Sequence, residues 1–296
     1  MSRPRGYAAW RPQRATQVLL AQIDEVLVEY RDYLPLTVRQ IFYRLVGRYG
    51  YPKDELGYGR LCEHLNRARR ARLIPFDHIR DDGVSIIRRD YFADTHDFWD
   101  DTGRRARLYR RDRLAGQAVR LELWCEAAGM MPQLDRVARE FSVPVYSAGG
   151  FASVTGTHDI AERALQRSLP TVILHVGDFD PSGESIFQAM IEDASAFVER
   201  DRLTLDMTLE GVRVALTQQQ VQAFGLPTAP PKKTDSRARG WVETCQAEAL
   251  PPDDLAQLVQ NAIVLEIDVD DWQEQVNLEA EDRQTLLLSL PSGDNE

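Results

Sequence analysis

Thr171-Val172-Ile173-Leu174-His175-Val176, running directly into Gly177-Asp178-Phe179-Asp180-Pro181-Ser182-Gly183, decides how the rest of the chain reads. The first six residues form a continuous apolar run rich in β-branched side chains, the type of strand buried in a parallel sheet. Pro181 and Gly183 predict a tight turn that carries Asp178 and Asp180 forward. Ile186, Phe187, Met190, Ile191 and Phe197 predict a helix behind that turn. Two readings of the aspartates stand side by side. They form an ordinary turn in which Asp180 caps the helix, or they are presented beyond the carboxyl end of a strand, where open α/β sheets bind ligands.

Working upstream, Val119–Cys125 reads as a strand and Glu126 follows it directly. Met131, Leu134, Val137, Ala138 and Phe141 mark a helix, Val143–Tyr146 a short strand ending in Gly149-Gly150, and residues 157–167 another helix. This β-α-β-α-β-α order predicts an α/β fold with an open, doubly wound parallel sheet. Glu126, Asp178 and Asp180 then reach one edge of the sheet from separate stretches of sequence. Unpaired, three carboxylates repel, and a divalent cation relieves that repulsion. All-oxygen, carboxylate-only ligation suits Mg2+ or Mn2+ rather than zinc. Downstream, Arg213–Thr217 reads as a strand leading to a Thr217-capped helix. A proline-rich loop follows, whose Lys232, Lys233 and Arg237 either touch phosphate or form a solvated loop. Residues 270–296 are acidic and partly helical.

Residues 1–115 read as a separate, mostly helical domain, with 116–296 as the sheet domain and its C-terminal extension. The boundary falls in the arginine-rich stretch 103–118. Val18, Leu19, Ile23, Val26, Leu27 and Tyr30 give a helix over 15–31. Thr37 and Gln40 form a capping box opening a second helix, with Leu36 placed as its staple. A third helix is predicted over Tyr58–Arg72, with Arg60 and Arg67 on one face and Arg69, Arg70 and Arg72 at its end. A turn at Asp81-Asp82-Gly83 suggests a hairpin, and helices followed by a hairpin fit a winged helix-turn-helix. The charge supports a nucleic-acid partner for this half. The chain carries a net −10, yet residues 1–120 hold 24 Lys+Arg against 16 Asp+Glu, a net of +8, and the remainder holds 12 against 30, a net of −18. Arginine forks suit phosphate, and Arg60, Arg67, Arg69, Arg70 and Arg72 are the DNA-binding candidates here. Cys62, Cys125 and Cys245 are far apart, with no disulfide framework and no zinc spacing. No apolar run approaches the roughly 20 residues of a membrane helix. The N-terminal MSRPRGYAAWRPQR has no apolar signal core, so a cytoplasmic, DNA-associated protein is expected.

Glu126, the glycine turn Gly149-Gly150 and Asp178-Phe179-Asp180-Pro181-Ser182-Gly183 together resemble the Toprim domain. The form is closest to that of the topoisomerase VI A subunit and the related meiotic double-strand-break proteins. In the first half, Arg39-Gln40-Ile41-Phe42-Tyr43 is similar to the Arg-[Asp/Glu]-Ile-[Phe/Tyr]-Tyr signature of their winged-helix domain, whose last tyrosine attacks DNA. The two motifs stand in family order over roughly residues 36–190. The segment from Arg213 to Arg237 resembles a compact bacterial or phage branch. Gln40 stands where the family usually has an acidic residue, and Ala127 where a lysine often follows the glutamate. The resemblance implies a winged-helix domain followed by a Toprim sheet, with a Mg2+ (or Mn2+) ion held by Glu126, Asp178 and Asp180. Tyr43 would be the nucleophile and Arg39 its neighbour favouring the phenolate. It also implies a homodimer that cuts double-stranded DNA, with the tyrosine of one copy serving the metal site of the other. The chain has no GxxxxGK[ST] loop, so ATP-driven strand passage would need a separate ATPase subunit. Two alternatives are a Toprim nuclease in which water attacks, and a catalytically degenerate DNA-binding protein of a mobile element.

Overall fold

The computed structural model describes residues 7–80, 91–147, 154–204, 206–232, 235 and 237–291. Helix α1 (Arg14–Glu29) is followed by a two-residue strand β1 (Leu36–Thr37), α2 (Val38–Tyr49) and α3 (Glu55–Arg70). Strand β2 (Ile79–Arg80) pairs in parallel with β1, and α4 (Thr95–Arg107) closes the first half. The second half runs β3 (Arg120–Cys125), α5 (Met131–Ala138), β4 (Val145–Ser147), α6 (Val154–Arg167), β5 (Thr171–Val176), α7 (Pro181–Asp201) and β6 (Leu209–Ala215). Helices α8 (Gln218–Ala223), α9 (Pro252–Glu266) and α10 (Val269–Leu288) complete it.

The four strands β4-β3-β5-β6 lie in that order and are all parallel, so the protein is α/β. Alternation along β3 and β5 sorts their side chains onto two faces. Leu121, Leu123, Cys125, Val172, Leu174 and Val176 enter a core shared with α5 and α9, whereas Trp124 and Ile173 pack with α6 and α7. Helices therefore cover both faces, which explains why every residue of β5 is buried and most are apolar. The first core does not stop at the arginine-rich stretch, because Ile23, Leu45 and Leu61 of α1, α2 and α3 belong to it.

The first half is only partly as expected. Thr37 caps α2 through the capping box with Gln40, as the spacing requires, and Gly50 ends the helix in the left-handed conformation. The third helix begins at Glu55 rather than Tyr58 because the Asp54 carboxylate accepts the Gly57 amide at 2.5 Å and caps it. No winged helix is seen among the described residues; β1 and β2 form a parallel bridge, and the expected hairpin over 79–87 falls largely on residues outside the described ones. The Gly149-Gly150 turn also lies outside them.

Candidate active site at the carboxyl ends of β3 and β5

Strand β3 connects through α5 to β4 on one side, and β5 connects through α7 to β6 on the other. The order in which strands are laid down thus reverses between the adjacent, parallel β3 and β5, which opens a crevice beyond their carboxyl ends, the usual ligand position of such sheets. Glu126 leaves β3 and Asp178 leaves β5 at this crevice. The Glu126 amide still completes the ladder by donating to the Val176 carbonyl at 3.2 Å.

Each of the three carboxylates is aimed by one backbone amide. Asp178 N–H donates to Glu126 Oε2 at 2.9 Å, Ala247 N–H to Asp178 Oδ1 at 2.9 Å, and Gly183 N–H to Asp180 Oδ1 at 2.6 Å. Asp180 therefore caps α7, as the first of the two readings has it, and it also lines a cavity together with Asp178. Gly177 and Gly183 are required by close approach. A Cβ on Gly183 would lie 2.9 Å from Glu126 Oε1 and 3.2 Å from Asp180 Oδ1, and one on Gly177 would lie 2.9 Å from Glu126 Cδ. Burial raises Glu126 above the usual carboxylate range against the pull of the Asp178 amide. Burial likewise raises Asp178, opposed by the Ala247 amide and reinforced by Asp180.

Asp178 is shared by two adjoining cavities. One, of about 360 Å3, is lined by Glu126, Ala127, Asp178, Glu248, Arg39 and Tyr58. The other, of about 420 Å3, brings Asp180 together with Lys232, Arg237, Asp235 and Gln246. Lys232 and Arg237 therefore sit beside the acids, while Lys233 lies outside the described residues. Ser182 Oγ donates to Asp235 at 2.8 Å, holding that loop on the start of α7.

Tyr43 is 7% exposed, and its hydroxyl donates to the Gln246 side chain. Gln246 precedes Ala247, whose amide holds Asp178, so the phenol and the acids are joined within one chain. Its pKa is raised, chiefly by burial. Arg39 acts in the expected direction, but burial outweighs it. Arg39 is instead directed to Glu248, at 3.9 Å, and its guanidinium lies 5.7 Å from the Tyr58 ring centroid. Among the arginines of α3, Arg67 pairs with Glu63 at 2.5 Å, Arg60 donates to the Leu56 carbonyl and Arg70 to Asn66. Arg69 and Arg72 cover the rings of Phe76 and Tyr7.

Four contributors escape a motif reading. Arg213 of β6 reaches the Asp178 carbonyl and lies 3.0 Å from His175 Nδ1, fixing the turn from below. His175, buried and stacked on Phe187 at 4.1 Å, is held neutral, its pKa pushed down to about 2 by burial and by Arg213. Glu248 accepts from Thr37 Oγ1 at 3.4 Å, and Lys53 donates to the Pro227 carbonyl at 2.7 Å beside the Tyr43 ring. Of these four, Arg213 and His175 lie in stretches that sequence reading singles out; Glu248 and Lys53 carry no local signal, and neither does Gln246. As they stand, Glu126, Asp178 and Asp180 do not bring three ligand atoms within 4.8 Å of one another; among the described residues only the largely exposed His158, Asp159 and Glu162 do so. The donor type at the crevice, all carboxylate, is the one a hard divalent cation takes. No protein-family model matches the chain, and no curated protein matches it in sequence.

Proposed function

We propose that this protein binds double-stranded DNA and cleaves or transfers its strands at the Glu126–Asp178–Asp180 site in the presence of Mg2+ or Mn2+. The reading extends the resemblance to the topoisomerase VI A subunit. The observation that carries it is the chain Tyr43–Gln246–Ala247–Asp178, which ties a phenol to amide-oriented carboxylates at the sheet's switch point. Bound there, the cation supplies charge neutralisation for the phosphoryl and leaving oxygens. Lys232 and Arg237 hold the neighbouring phosphates, and the charge of Arg39 acts on Tyr43 in the direction that favours the phenolate. Attack by Tyr43 exchanges one phosphodiester for a phosphotyrosine ester. The proton lost by the phenol is the proton gained by the departing sugar hydroxyl, so resealing needs no external energy. A homodimer would present two such sites to the two strands, and any ATP-driven cycle would draw on a second polypeptide.

A second reading, in which water attacks, is supported by the burial of Tyr43 and its raised pKa. One experiment separates the two: incubation with Mg2+ or Mn2+ and end-labelled duplex DNA, followed by a detergent quench. Protein covalently attached to a DNA end, absent in Tyr43→Phe, is the expected result. Free nicks that persist in Tyr43→Phe assign the reaction to water. Salt-sensitive binding with no cleavage leaves a DNA-binding protein without chemistry.

A further inference from the structure

A further cavity adjoins the acid site. It measures about 740 Å3 and lies between α3, the start of α2 and the chain around Tyr7 and Phe76. Val38 and Tyr58 line both this cavity and the one holding Glu126 and Asp178, so the two are neighbours that share a wall. Its size falls in the range of small-ligand sites, roughly 300–1,000 Å3. The walls are largely aromatic and aliphatic, with Cys62 and Asn66 among them, and the charged side chains among the described lining residues are Arg69 and Arg70. Tyr7 and Phe76 meet edge to face at 6.1 Å, and both remain half-exposed although they are aromatic. Arg69 lies 4.7 Å from the Phe76 centroid and Arg72 lies 4.2 Å from that of Tyr7. Rings braced by guanidinium groups, with cationic side chains around them, suit a flat π-system attached to an anion.

We propose that this cavity takes one unpaired nucleobase of the DNA substrate, whose adjoining phosphate runs past Tyr58 toward Asp178. The preferred substrate is then a duplex with an unstacked nucleotide, such as an overhang or a gap, rather than continuous duplex. This rests on the nucleic-acid reading above and specifies its substrate.

The test uses the full chain in EDTA, so that cleavage does not intrude. The probe is a DNA duplex with a one-nucleotide 2-aminopurine overhang, compared with the blunt duplex of the same sequence. Stacking in the cavity changes the probe's fluorescence and favours the overhang by between about 5- and 150-fold, the span of one base–aromatic contact. Phe76→Ala and Tyr7→Ala lose both the signal and the preference. Arg69→Gln, which keeps the ring pair, weakens them and serves as the second variant should an alanine variant unfold. Equal binding of overhang and blunt duplex, with unchanged fluorescence, overturns the cavity assignment and leaves the DNA reading standing. Absence of DNA binding by the wild-type chain overturns both.

Discussion

Two sets of buried carboxylates in this protein are treated in opposite ways. Glu279 on α10 is 1% exposed and is surrounded by guanidinium groups. Arg113 forks onto it at 3.0 and 2.8 Å, Arg110 reaches it at 3.2 Å and Arg283 at 2.5 Å, and the Arg111 amide donates at 3.1 Å. Burial raises its pKa, but the Arg113 hydrogen bonds and the surrounding positive charge win and hold it near 2. Glu122 on β3 is of the same kind, gripped by Arg163 and Arg167 of α6 and by the Trp124 ring N–H at 2.9 Å. At the crevice the balance is reversed. Glu126 and Asp178 are directed by neutral amides, each is pushed upward by burial, and Arg213 spends its contacts on the Asp178 carbonyl and His175. Carboxylates saturated by the protein's own cations hold the fold together, while those at the crevice are left short of positive charge.

Breaking the saturated set has the largest expected effect. Glu279→Ala takes the closest carboxylate from buried Arg113 and leaves it the Glu140 side chain at 3.4 Å; removing one partner of a buried pair costs about 3–5 kcal/mol. Denaturant unfolding reads this as a lower midpoint with an unchanged slope. A cost below about 1 kcal/mol means the network is solvated, and the contrast fails. The open set answers in the other direction. Asp178→Asn keeps an oxygen for the Ala247 amide and removes one of three mutually repelling charges, so thermal stability holds or rises. Cleavage falls by about 10²–10³, as when a preorganised charge interaction is lost from an active site. A clear drop in melting temperature in that variant makes Asp178 a structural acid like Glu279.

Acid sharpens the same comparison. Glu279 has a folded pKa of about 2, below its ordinary value of 4.5. The unfolded chain therefore binds more protons between those values. The stabilisation is fully present above pH 4.5 and is lost as pH falls from 4.5 toward 2. Unfolding followed over that window shows a steeper loss in the wild type than in Glu279→Gln, which has no proton to take up there. Parallel curves would mean that the Glu279 cluster does not govern acid stability.

The second set was far more legible in sequence than the first. Thr171–Val176 is β5 to the residue, because a strand buried on both faces leaves a continuous apolar run. Thr37/Gln40 and Thr217/Gln220 declare their helix starts because a capping box is local. The strand-end acids were readable for the same reason, since each follows directly from a strand. By contrast, α4 has Gly103 and Ala106 as its buried residues, and without larger apolar side chains it shows no helical stripe to read. The arginine-rich stretch 103–118 reads as a boundary, and its Arg110, Arg111 and Arg113 are anchored to an acidic helix more than 160 residues downstream, a pairing no local pattern announces. Glu248 and Gln246 escaped likewise, being brought to the crevice by a loop that α2 packs against.

The smallest expected change in stability is at Tyr43. In Tyr43→Phe the ring keeps its edge-to-face contact with Phe42, whose centroid is 5.4 Å away, and loses only the hydroxyl. Gln246 then lacks its donor, but it lines the open cavity beside Asp178 and Asp180, where water can replace the phenol. The net loss is that of one ordinary hydrogen bond, about 0.5–1.5 kcal/mol, read as a small shift in melting temperature. A loss above about 3 kcal/mol would place the hydroxyl among the structural groups alongside Glu279. A near-silent change in stability, with the covalent adduct abolished, sets Tyr43 beside the open carboxylates, as a group whose partner is the substrate rather than the fold.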